Sequence, residues 1–218
     1  YGGNINLSVN GSTINADNFK DLDGQTAGGA VFHVPSGGDG NDAGILVIHG
    51  TAIAEFSIGG QELWIDQICL LEHQPGDPNQ PGDPNRPPAD CVEFEELTLA
   101  SVYNVGDLFS VSNTDGSLKL EAQVLGFEAA DGSTTTTGSV SVGNGGKAGA
   151  MGHELYLNNA LVQFKPASPN PPGLSLHFGE YGGNINLSVN GSTINADNFK
   201  DLDGQTAGGA VFHVPSGG

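Results

Sequence analysis

Two seven-residue stretches of this chain carry the same donor spacing. Gly60–Asp66 reads GQELWID and Gly152–Asn158 reads GHELYLN, both of the form G-x-E-L-aromatic-aliphatic-Asp/Asn. In an extended strand alternate residues share a face, so Glu62, Trp64 and Asp66 project together, as do Glu154, Tyr156 and Asn158. Carboxylate and amide oxygens are the donors that hard cations take. Set side by side, the two strands would gather ligands for one divalent ion, with calcium the expected cofactor. The same residues would serve equally as a solvated outer face. Trp64 and Tyr156 are the candidates for a sugar-stacking surface, although Trp in a β-sandwich more often belongs to the core.

A second constellation lies around a Pro-rich stretch, Glu72–Asp90, which holds PGDPN twice. Glu93 and Glu95 follow it and Asp66 precedes it, while Cys69 and Cys91 stand at its two edges. A disulfide between the cysteines suits an extracellular setting; two free buried thiols are the other reading. Asp21-Leu22-Asp23-Gly24 opens like a calcium loop but lacks the acidic ligands downstream, and reads as a turn. His33 reads as a packed strand residue. No enzyme constellation is present: there is no G-x-S-x-G elbow, and His153-Glu154 is followed by Leu-Tyr-Leu rather than by a second His. The chain is expected not to be an enzyme.

The elements that must position these residues are strands. Alternating apolar residues bounded by Gly, Asn and Asp recur, and no long run has the i, i+3, i+4, i+7 spacing of a helix. NINLSVN at Asn4–Asn10 is an example, ending in an Asn-Gly hairpin turn. Further strands are expected at Gly29–Pro35, Gly44–Gly50, Thr51–Ile58, Glu62–Leu71, Cys91–Ala100, Ser117–Phe127, Glu154–Asn158, Ala160–Lys165 and Gly173–Glu180. Pro as dense as in 72–90 does not sit in a sheet interior and makes a semi-rigid spacer.

One property of the chain governs how these strands are shared out. Tyr181–Gly218 repeats Tyr1–Gly38 without a mismatch, at an offset of 180 residues. A window cut from a periodic array, a recent duplication and an engineered overlap each explain it. All three divide the chain alike: residues 1–71 are the C-terminal part of one β-sandwich unit, 72–90 the linker, and 91–218 the N-terminal part of the next. Each part is then either completed by a neighbouring molecule, or 1–71 folds back onto 91–180 as a circular permutation. In the permuted case 181–218 has no room in its own domain and would be donated as strands to another molecule.

Composition narrows the partners. The chain holds 25 Asp and Glu against 6 Lys and Arg, a formal net charge of −19. Phosphate binding needs a basic footprint, so nucleic acid and anionic membrane surfaces are poor partners. No stretch approaches the roughly 18 apolar residues of a membrane span.

The opening of a unit, Cys91-Val-Glu-Phe-Glu-Glu-Leu, and its close, Glu62-Leu-Trp-Ile-Asp-Gln-Ile-Cys69, resemble secreted bacterial tandem-repeat β-sandwich modules, similar to jelly-roll carbohydrate-binding modules. In those modules a Glu of the first strand and an Asp of the last bind a structural calcium. The resemblance implies a jelly-roll-like antiparallel sandwich, calcium at Glu93, Glu95 and Asp66, and a Cys–Cys closure of the first and last strands. It also implies an extracellular or cell-surface location. The order departs from that pattern, because Cys69 precedes Cys91 here. The expected fold is therefore all-β, a jelly-roll-like sandwich in a periodic 180-residue unit, with strand exchange between units as one way of completing it. The expected function is a structural repeat of an extracellular fibre, matrix or adhesin stalk whose partners are copies of itself. A lectin-like module that binds polysaccharide is the alternative.

Overall fold

The computed structural model describes residues 2–9, 12–16, 19–27, 29–36, 42–50, 53–71, 90–128, 133–167, 171–181, 183–196, 199 and 201–214. The Pro-rich linker, 72–89, lies outside them. The chain is all-β. The first copy of the repeated segment forms β1 (Gly2–Val9), β2 (Ser12–Ala16), a one-turn 3-10 helix (Phe19–Leu22), β3 (Asp23–Ala27) and β4 (Ala30–Ser36). Then follow β5 (Asp42–Gly50), β6 (Phe56–Gly60), β7 (Leu63–Leu71), β8 (Asp90–Val92), β9 (Val102–Asn104), β10 (Leu108–Ser112), β11 (Lys119–Gly126), β12 (Ser139–Gly143), β13 (Glu154–Asn158), β14 (Ala160–Pro166) and β15 (Gly173–Glu180). The second copy forms β16 (Gly183–Val189), β17 (Ser192–Ala196), β18 (Leu202–Ala207) and β19 (Ala210–His213). No helix among the described residues is long and apolar enough to cross a membrane.

Two sheets result. One runs β10-β11-β14-β6, with β1 and β16 both lying against β6. In the other, β5-β15-β7-β13-β12-β9 are neighbours in that order, β8 pairs with β7, and strands of both copies cover the free edge of β5. Alternation builds the core between them. In β5, Leu46 and Ile48 are fully buried while Ile45, Val47 and His49, which alternate with them, are only partly so. Leu120, Ala122 and Val124 of β11, Val162 and Phe164 of β14, and Leu174, Leu176 and Phe178 of β15 are buried on the same period of two. Phe56 and Phe164 stack with centroids 5.1 Å apart, and each such ring contributes roughly 1.5–3 kcal/mol by leaving water.

Residues 1–71 and 91–180 interleave rather than standing apart. β7 lies between β15 and β13, and β6 pairs with β14. Strands from both stretches thus belong to the same two sheets. The strand expected at Cys91–Ala100 is shorter than its alternation suggested: β8 covers only Asp90–Val92. Pairing stops at Val92, because Phe94 and Ala100 take positive φ (59° and 63°) and Glu93–Ala100 coils over the sheet. The strand expected from Thr51 begins only at Phe56. The Asp21–Gly24 turn is the end of the short helix running into β3.

Candidate functional site

The site grows from an irregularity in β7. His177 of β15 stands opposite Asp66 and Ser175 opposite Cys69, so Gln67 and Ile68 together face Leu176 alone. This is a β-bulge, and Gln67 takes φ 45° to make it. Leu63 and Ile65 are buried before it and Ile68 after it, so the core phase shifts by one residue. Asp66 sits at the slip, only 2% exposed, with its Oδ1 accepting the Gln67 N–H at 2.7 Å.

The bulge sets the rest of β7 against β8. Cys69 stands directly opposite Cys91, Cα to Cα 4.0 Å, and the two form a disulfide. The chain then turns at Glu93–Leu97 and brings two carboxylates over the bulge. Glu93 Oε1 accepts from Gln67 Nε2 at 3.3 Å, and Glu95 Oε1 accepts the His153 N–H at 2.7 Å. From β13, buried Glu154 turns both oxygens onto the loop after β12, accepting Gly145 N–H at 2.7 Å and Ala148 N–H at 2.9 Å.

Four carboxylates thus meet at one seam. Burial pushes the Asp66 carboxyl up to about 7; the Gln67 N–H opposes the shift, and the charges of Glu154, Glu93 and Glu95 add to it. No basic side chain is among the influences that draw it back. An open pocket of about 520 Å³ adjoins the seam, lined by Glu93, Glu95, Glu96, Ser112 and Asp115 among others. Glu96 there accepts from the Ser112 backbone N–H and, at 2.8 Å, from its hydroxyl.

The seam gathers negative charge around a buried carboxyl, but its oxygens do not close on one point. The one group of three His, Cys, Asp or Glu ligand atoms within 4.8 Å of one another, among the described residues, is His33, Asp203 and His213. Asp66, Glu93 and Glu95 stand near enough to feel each other's charge and farther apart than bound ligands. Of the sequence candidates, Asp66, Glu93, Glu95 and Glu154 are brought together, with Glu154 committed to its loop. Glu62 and Asn158 are not brought to the seam. β7 and β13 are neighbours, Tyr156 opposite Trp64 and Leu157 opposite Leu63. That register puts Glu62 and Asn158 at the far end of the pair, roughly 13 Å from Asp66.

Between the two ends lie Trp64 and Tyr156, both half-buried, with ring centroids 4.5 Å apart and planes at 28°. They stack on each other. Trp64 also reaches across β13 to Gly143, where an added Cβ would come 2.7 Å from its ring.

The histidine group has a different origin. His33 and His213 are the same position in the two copies; their rings are parallel within 2° and occupy one volume. Within each copy the contact is a His–Asp pair, His33 with Asp23 at 3.8 Å and His213 with Asp203 at 3.6 Å. One imidazole and one carboxylate at a time are too few donors for a metal. Sequence reasoning missed this pair, whose signal is Asp and His ten residues apart in both copies. It also missed Glu96 and the Glu95–His153 contact, since nothing in the spacing shows that the chain coils after Val92.

Against known proteins, the chain matches no protein-family model, no curated protein and no solved structure. The fold and the seam thus define an all-β sandwich in which the paired strands β7 and β8 are joined by a disulfide beside a cluster of acids.

Proposed function

We propose that the chain is a structural unit of an extracellular fibre, matrix or adhesin stalk, non-catalytic and joined to copies of itself. Its sandwich is jelly-roll-like with a 180-residue period, completed by strand exchange between units, and a hard divalent cation, calcium foremost, strengthens the seam. The observation that carries this reading is that residues 1–71 interleave with 91–180 while both copies of the repeated segment pair with the same edge of β5. One copy is then left over to join a neighbouring unit, and the Cys69–Cys91 disulfide closes β7 onto β8 within each unit. A cation drawn between Asp66, Glu93 and Glu95 would offset their repulsion beside that closure.

The test is the size and form of the native particle by electron microscopy and sedimentation, with calcium and after chelation. Long particles that weaken on chelation support the reading; a monomer in calcium overturns it. The second reading, a carbohydrate-binding module, has the half-exposed Trp64–Tyr156 pair in its favour. A sugar platform needs ring faces side by side and open. These rings stack on one another and the indole edge meets Gly143, so the fibre reading stands first.

A further inference from the structure

The repeated segment has two copies in this chain and one place to go. β4 and β19 pair with the same edge of β5 in the same register: Phe32 and Phe212 both stand opposite Ile48, and His33 and His213 both opposite Val47. The other edge of β5 belongs to β15. Phe32 and Phe212 lie in one volume, their planes 9° apart. The hairpins repeat the pattern, with Leu7 and Leu187 both opposite Ile194. Along the parallel pairings between the copies, equivalent residues meet at most positions: Asn6 with Asn186, Gln25 with Gln205, Ala30 with Ala210. These are the only parallel pairings among the described residues. A β-strand edge bonds one partner and a core volume holds one ring. The two copies therefore converge on one seat, which has room for one of them.

The seat is built from strands that occur once. It comprises the edge of β5, the flank of β6, where Asn190 N–H bonds to the Glu55 carbonyl, and the apolar face between the sheets. Each copy is already tethered beside it, one running straight on from β15 and the other leading into β5.

We propose that the two copies are interchangeable occupants of this seat, and that the displaced copy is an arm which fills the same seat in a second copy of this chain. The inference deepens the fibre reading by naming the partner surface, and it rests on that reading only for the partner. Because the sequences are identical, exchange neither gains nor loses contacts. Its extent is set by chain concentration against the tether's effective concentration, roughly millimolar for a short connection. A chain that loses the use of both copies becomes an obligate acceptor, and an intact chain holds one copy for itself and one to give.

The test uses the full chain and three variants: Phe32→Asp, Phe212→Asp and both together. Each single variant should melt within about 2 °C of the parent, because the other copy takes the seat. The double variant should lose roughly 10 °C or more, as a charge buried at Ile48 without a partner does. Mixed with intact chain, the double variant should give a 1:1 complex in native mass spectrometry and regain the parent melting temperature. Limited proteolysis of the intact chain gives an independent measure: each molecule should lose one copy and keep the other. Single variants as damaged as the double overturn the proposal, as do molecules that lose both copies or neither. Redundancy without the mixed complex overturns it as well. A native monomer would sink the fibre reading while leaving the redundancy of single variants intact, so the two failures are told apart.

Discussion

At the seam, every residue that meets another occurs once in the chain. Cys69 has Cys91, Asp66 has the Gln67 N–H, and Glu95 has the His153 N–H. At the seat, the receiving strands also occur once, but their occupant occurs twice. The first arrangement gives each contact a single solution and the second gives two of equal energy. The difference teaches where specificity resides in a repeated protein. It lies in the unrepeated strands, and a substitution should cost its full value there and almost nothing in a single repeated copy.

The largest effect expected from this contrast comes from the disulfide. Replacing both cysteines, Cys69→Ser with Cys91→Ser, opens a loop with a sequence separation of 22 and should lower stability by about 3 kcal/mol. Urea unfolding should show the midpoint falling. A change comparable to that of Phe212→Asp alone would erase the distinction between the two regions.

Acid should act next, and again through an unrepeated residue. His49 of β5 is held well below the ordinary imidazole range, at about 4, because burial disfavours its charged form. Its folded pKa lies below its unfolded value of 6.5, so the unfolded chain binds more protons between the two. The stability is fully present above 6.5 and is lost as pH falls toward 4. By pH 5 the loss should be on the order of 2 kcal/mol. His49→Leu should flatten the stability profile across that window. An unchanged slope would show that other groups govern acid unfolding.

Much of this architecture was legible in the sequence, and the rest was hidden for identifiable reasons. The alternation in Ser117–Phe127 and Gly173–Glu180 gave β11 and β15, because each buries one face and period two follows directly. The shared G-x-E-L-aromatic pattern left open whether its two strands are neighbours; β7 and β13 do pair, with Trp64 opposite Tyr156. The same pattern misplaced Glu62 and Asn158, since antiparallel pairing sends the two ends of a pattern to opposite ends of the pair. The bulge at Gln67 left no trace in residue type, yet it decides that Asp66 is buried. The coil after Val92 was equally silent, because Val92 and Phe94 are both buried and imitate a strand. The single seat follows from the repeat only once β5 is seen to have one free edge.

A third prediction sharpens the seam alone. Asp66→Asn removes the charge that burial and three neighbouring carboxylates resist. In chelator at neutral pH the variant should equal or exceed the parent by about 1 kcal/mol. With millimolar calcium the parent should gain in melting temperature and the variant should not. Equal gains would mean that any cation binds elsewhere, and the adjoining pocket with Glu96 and Asp115 would be the next region to alter.

The smallest effect separates the two functional readings. Gly143 lies where a Cβ would come 2.7 Å from Cζ3 of Trp64, so the indole is close-packed there. Gly143→Ala must therefore tilt the ring away from the sheet and from Tyr156. If the Trp64–Tyr156 stack is packing, the change should cost about 1 kcal/mol and shift the single tryptophan's emission to the red. Retention on an insoluble polysaccharide should not change, because there is none to lose. If the pair instead serves a sugar, stability should barely move while retention on the polysaccharide falls. The parent chain's own retention decides which arm applies. A parent that is retained, with a variant that is not, would put Trp64 at a binding surface and move the carbohydrate reading ahead of the fibre.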